Sequence, residues 1–315
     1  MKLDRAMGSR RIAVGGLDVH TWAAGEGEPV VLVHGFGVSG RYMLPLAEAL
    51  AERYSVFVPD LPGYGRSERP DTPLGISGLA DALAAVHEAL DLGRPALVAN
   101  SMGCQVVTDL AVRVPDRVGP LVLIGPTVDP EQRRARRQFL RAVGDSAHEP
   151  MSLVALAAHD GAVMGLRALL STARSALADR IEQRLQLIEQ PALVIRGGED
   201  RFVSTAWAAQ VAALLPRGRL VVVPDEPHAV HYTRPDLVES LVRELLVEEG
   251  EEAGGEVVRS LPHRDMPAWE QDEPGPGQGP LPLLGDLRRH QPVVATPDEE
   301  RGGSDRGELG TEVPV

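Results

Sequence analysis

The sequence predicts an α/β fold: a mostly parallel central sheet with helices on both faces, a helical lid insertion, and a disordered acidic C-terminal tail. Three observations carry this. Between residues 29 and 126, short β-branched runs alternate with stretches of helical period, the pattern of parallel strands joined by right-handed crossovers. Over 130–190 the alternation stops and the chain reads as helix, then it resumes at Pro191. From Glu248 the texture becomes acidic and rich in Pro and Gly. The expected organisation is therefore a core in two parts, 1–129 and 191–247, a lid at 130–190 and a tail at 248–315.

Taken in order, RIAVGGLDVHTWA (11–23) reads as two strands about the Gly15-Gly16 turn. PVVLVHG (29–35) is a continuous apolar run that fits a strand buried on both faces. A helix is expected at 41–53, a strand at SVFVPD (55–60), and a loop at LPGYGRSERP, which Gly and Pro punctuate. Helical spacing covers 76–90. ALVAN (96–100) is a strand, 102–114 a helix stopped by Pro115, and GPLVLIGP (119–126) a strand. The insertion opens with the Arg-rich EQRRARRQFLR and continues with the apolar MSLVALAAHDGAVMGLRALL (151–170). PALVIRGGED (191–200), a helix at 205–215, RLVVVPDEPH (219–228) and a helix at 235–247 complete the core. An insertion of about 60 residues between sheet elements is commonly a lid over a site.

The net charge of -13 is unevenly placed: residues 248–315 hold 16 acidic residues against 6 arginines, and the remainder is nearly neutral. The acidic balance argues against nucleic-acid binding, which needs a basic face. A tail so charged and so poor in large apolar groups cannot offset its ordering entropy. Cys104 is the only cysteine, so no intrachain disulfide forms. No apolar segment follows Lys2, Asp4 and Arg5 as in a signal peptide, and no run reaches ~18 apolar residues. The expectation is a soluble cytoplasmic chain that meets a small-molecule substrate, with no nucleic acid and no membrane. Lys2 is the sole lysine among 32 basic residues, a codon signature of a GC-rich bacterial genome.

The stretch LVANSMGC (97–104) carries the chemistry. Ser101 sits between a strand and a helix, at the carboxyl end of a parallel strand, where open α/β sheets place their sites. In the nucleophile-elbow pattern G-x-S-x-G the small residues let strand and helix backbones approach. Here the pattern is A-N-S-M-G, with Ala99 in place of the first glycine, Asn100 and Met102 beside the serine, and Gly103 in the last position. Standing alone, such a serine could equally cap the helix. A nucleophilic serine also needs a base, a group that orients the base, and donors for the oxyanion. VLVHGFG places His34, Gly35 and Phe36 after the 29–33 strand, facing Ser101. The backbone N–H groups of Phe36 and Met102 would form the oxyanion hole, and His34 would support the loop. IRGGED supplies Asp200 after the strand that follows the insertion; Asp129, after GPTV, is the alternative acid. VVVPDEPHAVH supplies His228 as the base, with His231 left to line the pocket or face solvent. Asp225 and Glu226 would raise the histidine's pKa if they approached it.

On these motifs the chain resembles the α/β-hydrolase superfamily over roughly residues 10–247. The HG loop, DLPGYGRS, the serine elbow, IRGGED and the late histidine occur in that superfamily's order, Ser then Asp then His. The resemblance implies a cofactor-free, metal-free hydrolase with Ser101 as nucleophile, His228 as general base and Asp200 as its orienter. N-S-M-G is also similar to the elbow of hydrolases that cleave carbon–carbon bonds of aromatic ring-fission products. Those carry a more glycine-rich oxyanion loop, which Phe36 interrupts here, and a tryptophan beside the histidine, where Ala229 stands here. Carboxylic-ester hydrolysis therefore ranks above carbon–carbon cleavage, and a non-hydrolytic binding protein on the same scaffold is the third reading. The apolar 151–170 segment suits a medium-sized acyl group. Arg133, Arg134, Arg136, Arg137 and Arg141 could hold a substrate carboxylate or form a solvated helix face. In the tail, LPLLGDL (281–287) is a candidate interaction segment. Cys104 is expected to be a small packing residue.

Overall fold

The structure is a computed structural model that describes residues 7–130 and 150–252. The arginine cluster at 133–141, and the tail from residue 253 with its LPLLGDL segment, lie outside the described residues. Among the described residues, strands β1 (Gly8–Val14), β2 (Leu17–Ala24), β3 (Pro29–Val33), β4 (Ser55–Pro59), β5 (Ala96–Asn100), β6 (Leu121–Ile124), β7 (Ala192–Gly197) and β8 (Gly218–Val223) form one sheet. Its order is β1-β2-β4-β3-β5-β6-β7-β8. β2 runs antiparallel to both β1 and β4, and from β4 to β8 all pairings are parallel. The α/β-hydrolase fold expected from the sequence is the fold found.

The continuous apolar runs of β3, β5 and β6 are explained by burial on both faces. Val31, Val33, Leu97, Ala99, Leu121 and Leu123 point to one face. Val30, Leu32, Ala96, Val98, Val122 and Ile124 point to the other. The first face is covered by α2 (Ile76–Ala89), α3 (Met102–Arg113) and α7 (Thr205–Leu214). The second is covered by α1 (Leu44–Leu50), the short α8 (Val230–Thr233) and α9 (Pro235–Glu252). With few aromatics in the chain, this core is built mostly from Leu, Val, Ala and Ile.

Two boundaries move. The helix expected at 41–53 begins as a 3-10 turn at Gly40–Met43 and becomes α only from Leu44. The final helix does not stop at 247 but runs to Glu252, inside the segment assigned to the tail. Four of the five added residues are Glu, a good helix former, with one Gly among them, and Arg219 on β8 pairs with Glu244 at 3.8 Å and Glu248 at 2.9 Å.

The described part of the insertion forms α4 (Met151–Met164), α5 (Leu166–Ala178) and α6 (Ile181–Leu185). It is fastened by polar contacts as well as apolar ones. Gln105 Nε2 donates to Ala176 O (2.9 Å) and to Asp179 Oδ2 (3.0 Å). Arg184 binds Asp179 at 2.7 Å and reaches Asp109 at 3.6 Å. Ser175 Oγ accepts the first N–H of α2, from Ile76, at 3.0 Å. A helix N-terminus has such N–H groups to spare.

Two histidines make the fold acid-sensitive. His231, left by the sequence between pocket and solvent, is fully buried, with its ring edge-on to Tyr42 at 4.4 Å. With 0% of its surface exposed, no aqueous side remains for it. Burial, reinforced by the charge of His228, lowers its pKa to about 3. Burial and the nearby Arg117 lower His87 to about 4. An unfolded histidine titrates near 6.5, so between these values the unfolded chain binds more protons. Stability is therefore complete above about pH 6.5 and falls as the pH drops towards the folded values, by about 2 kcal/mol for each group at about pH 5. Urea unfolding at about pH 7.5 and about pH 5 checks this, with His87→Gln expected to flatten the pH dependence. An unchanged slope in that variant would sink the assignment for His87.

Candidate active site

Ser101 lies between β5 and α3 with φ 55° and ψ -121°, a backbone conformation that non-glycine residues rarely adopt. Its side chain makes no capping hydrogen bond to α3, which removes the helix-cap reading. Gly103 is needed where it stands: a Cβ there would come within 2.6 Å of Val33 O and 2.8 Å of His34 O. Gly35 likewise faces the elbow, its added Cβ meeting Ser101 Cβ at 3.1 Å and Asn100 Oδ1 at 3.2 Å. Thus the loop after β3 and the turn after β5 touch, as the chain order predicts. Ala99, in place of the first glycine of the elbow, is fully buried on the α3 face. Its carbonyl accepts the Cys104 thiol at 3.3 Å. Burial pushes that thiol's pKa far up, so Cys104 packs and does not react.

His34 is fully buried and both ring nitrogens are engaged. Leu61 N–H donates to Nε2 at 3.0 Å, which leaves the proton on Nδ1 to donate to Gly35 O at 2.9 Å. Burial lowers its pKa and keeps it neutral, despite the opposing Gly35 carbonyl and the Asp60 and Asp160 charges. A ring so used holds the loop and has no nitrogen free for proton transfer. The next backbone N–H groups are those of Phe36, whose side chain is 39% exposed, and Met102, whose side chain is buried against Tyr64. Met102 also opens α3, whose N-terminal dipole favours negative charge.

His228 Nδ1 lies 2.8 Å from Asp200 Oδ2, and both side chains are buried. The other oxygen of Asp200 accepts from Phe202 N–H (2.7 Å) and Val203 N–H (2.9 Å). Burial raises the Asp200 pKa, but the His228 interaction and these hydrogen bonds outweigh it and hold the carboxyl below its ordinary value. Of the two candidate acids, it is Asp200 that meets the imidazole. Asp129 accepts instead from Ser204 Oγ at 3.4 Å. Of the two acidic residues before the histidine, Glu226 has its own partners. Glu226 accepts from Thr233 Oγ1 at 2.6 Å and from Arg234 at 3.3 Å, and the loop turns at Asp225 with φ 58°.

The elbow and the His–Asp pair meet across the end of β6. Ser101 N–H donates to Ile124 O at 2.9 Å. The next residue, Gly125, has φ 54°, and a Cβ on it would fall 2.7 Å from His228 Cε1 and 3.3 Å from Asp200 Oδ2. Asn100 Nδ2 reaches Ile124 O at 3.3 Å and His228 O at 3.5 Å. Gly125 is therefore a site residue that sequence reasoning passed over, although a glycine directly after a strand end was a signal. A second is Arg196. Buried on β7, it donates to Val203 O (2.8 Å), Gly198 O (3.1 Å) and Asp200 O (2.9 Å), strapping the loop that carries Asp200. Nothing in the primary structure marks an arginine in an apolar strand as facing three carbonyls.

Among the described residues, no group of three or more His, Cys, Asp or Glu side chains could hold a metal ion. No single described helix is long and apolar enough to cross a membrane.

Comparison with known proteins agrees with the fold. The profile of a family described as the alpha/beta hydrolase family matches residues 30–241. A 2-(acetamidomethylene)succinate hydrolase of Mesorhizobium japonicum is 26% identical over 254 residues, covering 73% of this chain and 91% of that protein. A 2-hydroxy-6-oxo-2,4-heptadienoate hydrolase of Pseudomonas putida is 36% identical over 123 residues, 37% of this chain and 44% of that protein. Among solved structures, Est816, described as an N-acyl homoserine lactone degrading enzyme, superposes with a TM-score of 0.64. It is 25% identical and covers 75% of this chain and 99% of its own.

Proposed function

The chain belongs to the alpha/beta hydrolase family, and from that membership we propose that it hydrolyses a small-to-medium apolar carboxylic ester through Ser101, His228 and Asp200. The observation that carries the reading is the strained Ser101 elbow set against the buried His228–Asp200 pair across Gly125. Asp200 accepts the Nδ1 proton, which leaves His228 Nε2 unprotonated and able to act as a base. In the first step Ser101 Oγ attacks the ester carbonyl carbon as its proton passes to Nε2. The carbonyl oxygen becomes an oxyanion held by the N–H groups of Phe36 and Met102. The intermediate then collapses, the carbon–oxygen bond to the alcohol breaks, and the imidazolium protonates the departing alkoxide. Water attacks the acyl-enzyme by the same route, releasing the acid and restoring Ser101.

The substrate class is read from the insertion. α4 packs Leu153, Leu156 and Ala157 against the α1–α9 side of the core, and an insertion this apolar favours an acyl chain over a charged group. Est816 is described as degrading an N-acyl homoserine lactone, a molecule with an ester bond in its ring, which is compatible with this reading. Carbon–carbon cleavage is the second reading, favoured by the N-S-M-G elbow and by the heptadienoate hydrolase of Pseudomonas putida.

A panel of p-nitrophenyl esters from acetyl to octanoyl, run beside a 2-hydroxy-6-oxo-dienoate, separates the two. Ester turnover with an optimum at intermediate chain length is expected, with the dienoate chromophore persisting. Rapid bleaching of the dienoate without ester turnover would transfer the assignment to carbon–carbon cleavage.

A further inference from the structure

We infer that Asp160, carried on the insertion, is a positioning residue that holds the Phe36 loop in place for oxyanion binding. The inference rests on the hydrolase reading above and extends it to a residue outside the catalytic set. Asp160 is the only Asp, Glu, Lys or Arg in α4. Asp is a poor residue for a helix interior. His159 beside it is exposed, yet Asp160 is only 4% exposed. A buried carboxylate needs partners, and Asp160 has them across 121 positions of sequence. Ser39 N–H donates to Oδ2 at 2.8 Å, and His159 Nδ1 lies 3.0 Å from Oδ1.

Ser39 closes the loop that begins at His34. The near end of that loop is fixed by His34 through Gly35 O and Leu61 N–H. The far end is fixed by two carboxylates, with Gly40 N–H donating to Asp60 Oδ1 at 2.7 Å and Ser39 N–H donating to Asp160. Between the anchors, Phe36 to Val38 form no helix or strand, and Gly37 has φ 72°. Asp60 belongs to the core, and only Asp160 comes from the insertion. The bond therefore ties the position of α4 to the N–H that must meet the oxyanion. A donor for developing charge is useful only where it is held before the charge appears, and a displacement of an ångström can cost about a hundredfold in rate.

The test uses the full chain, with kinetics on the best p-nitrophenyl ester and hydrogen exchange across residues 34–40. Asp160→Ala and Asp160→Glu are expected to lower kcat about 10- to 100-fold with KM within about threefold, since the loss falls on the transition state. Asp160→Asn keeps an oxygen at the Ser39 N–H and is expected to restore kcat to within about threefold of wild type. Amides of 34–40 should exchange faster in the Ala and Glu variants, while those of β5 stay protected. A merely structural role would shift exchange and melting without this split between kcat and KM or the rescue by Asn. Asp160→Asn is isosteric and keeps the question answerable if Asp160→Ala does not fold. Wild-type kcat in the Glu variant, or an Asn variant as impaired as Glu, overturns the role of Asp160 alone. A folded wild type whose Ser101 takes no fluorophosphonate overturns the hydrolase reading and this role with it.

Discussion

Ser101→Ala should abolish turnover, with kcat/KM falling on the order of 10⁵- to 10⁶-fold, as expected when a nucleophile that acts as a unit with its base is removed. Fluorophosphonate labelling should vanish with it, while far-UV circular dichroism stays that of the wild type. The backbone adds a second, independent expectation. Ser101 is held at φ 55°, and such a conformation costs about 1–3 kcal/mol for a residue with a Cβ. Alanine keeps that Cβ and glycine removes it. Ser101→Gly should therefore be as inactive as Ser101→Ala yet unfold at higher denaturant, by about 1 kcal/mol after the extra freedom glycine gives the unfolded chain. Residual hydrolysis above about 1% of wild type in a clean Ser101→Ala preparation would mean that another residue supplies the nucleophile.

Asp200→Asn should be the next most damaging change, lowering kcat by about 10⁴-fold. The geometry gives the reason. Asn can keep an oxygen facing Phe202 N–H and Val203 N–H, so the loop survives. The amide then points its NH₂ at His228 Nδ1, where Asp200 now accepts a proton at 2.8 Å. The imidazole must move its hydrogen to Nε2 and can no longer take one from Ser101. Because the carboxyl pKa is held below its ordinary value, Asp200 contributes stability above the unfolded value of about 3.9. That contribution is lost only as the pH falls through the lower folded value. The Asn variant should accordingly lose activity across the neutral range and melt below the wild type at neutral pH, with the difference shrinking as the pH falls through the folded value. If Asp129→Asn instead gave the large loss and Asp200→Asn a small one, the assignment of the acid would be reversed.

Much of the architecture was legible in the residues. PVVLV, ALVAN and LVLI announce strands buried on both faces, because no polar residue interrupts them except Asn100 at the strand end. The chain order of Ser101, Asp200 and His228 follows from where strands end, since a parallel sheet collects its carboxyl ends at one edge. The elbow, the loop after β3 and the late histidine were all placed by that rule.

Other features depend on contacts between segments far apart in sequence. Asp200 and Asp129 both follow strands, and nothing in their spacing says which one meets His228; the twist of the sheet and the loop strapped by Arg196 decide it. His231 is three residues from His228, yet one ring meets Asp200 and the other is sealed against Tyr42, because α8 turns between them. Gly125 reads as a strand-end glycine until His228 is seen where its Cβ would be. Asp160 reads as one polar residue in an apolar helix until Ser39 is found beneath it. Local pattern determined which segments become strands and helices and which strand ends carry reactive side chains, because those follow from backbone sterics and the period of burial. Only the tertiary structure decided which acid pairs with which base, and which buried groups hold the loops. Those choices rest on hydrogen-bond geometry, where a shift of an ångström makes or breaks the contact.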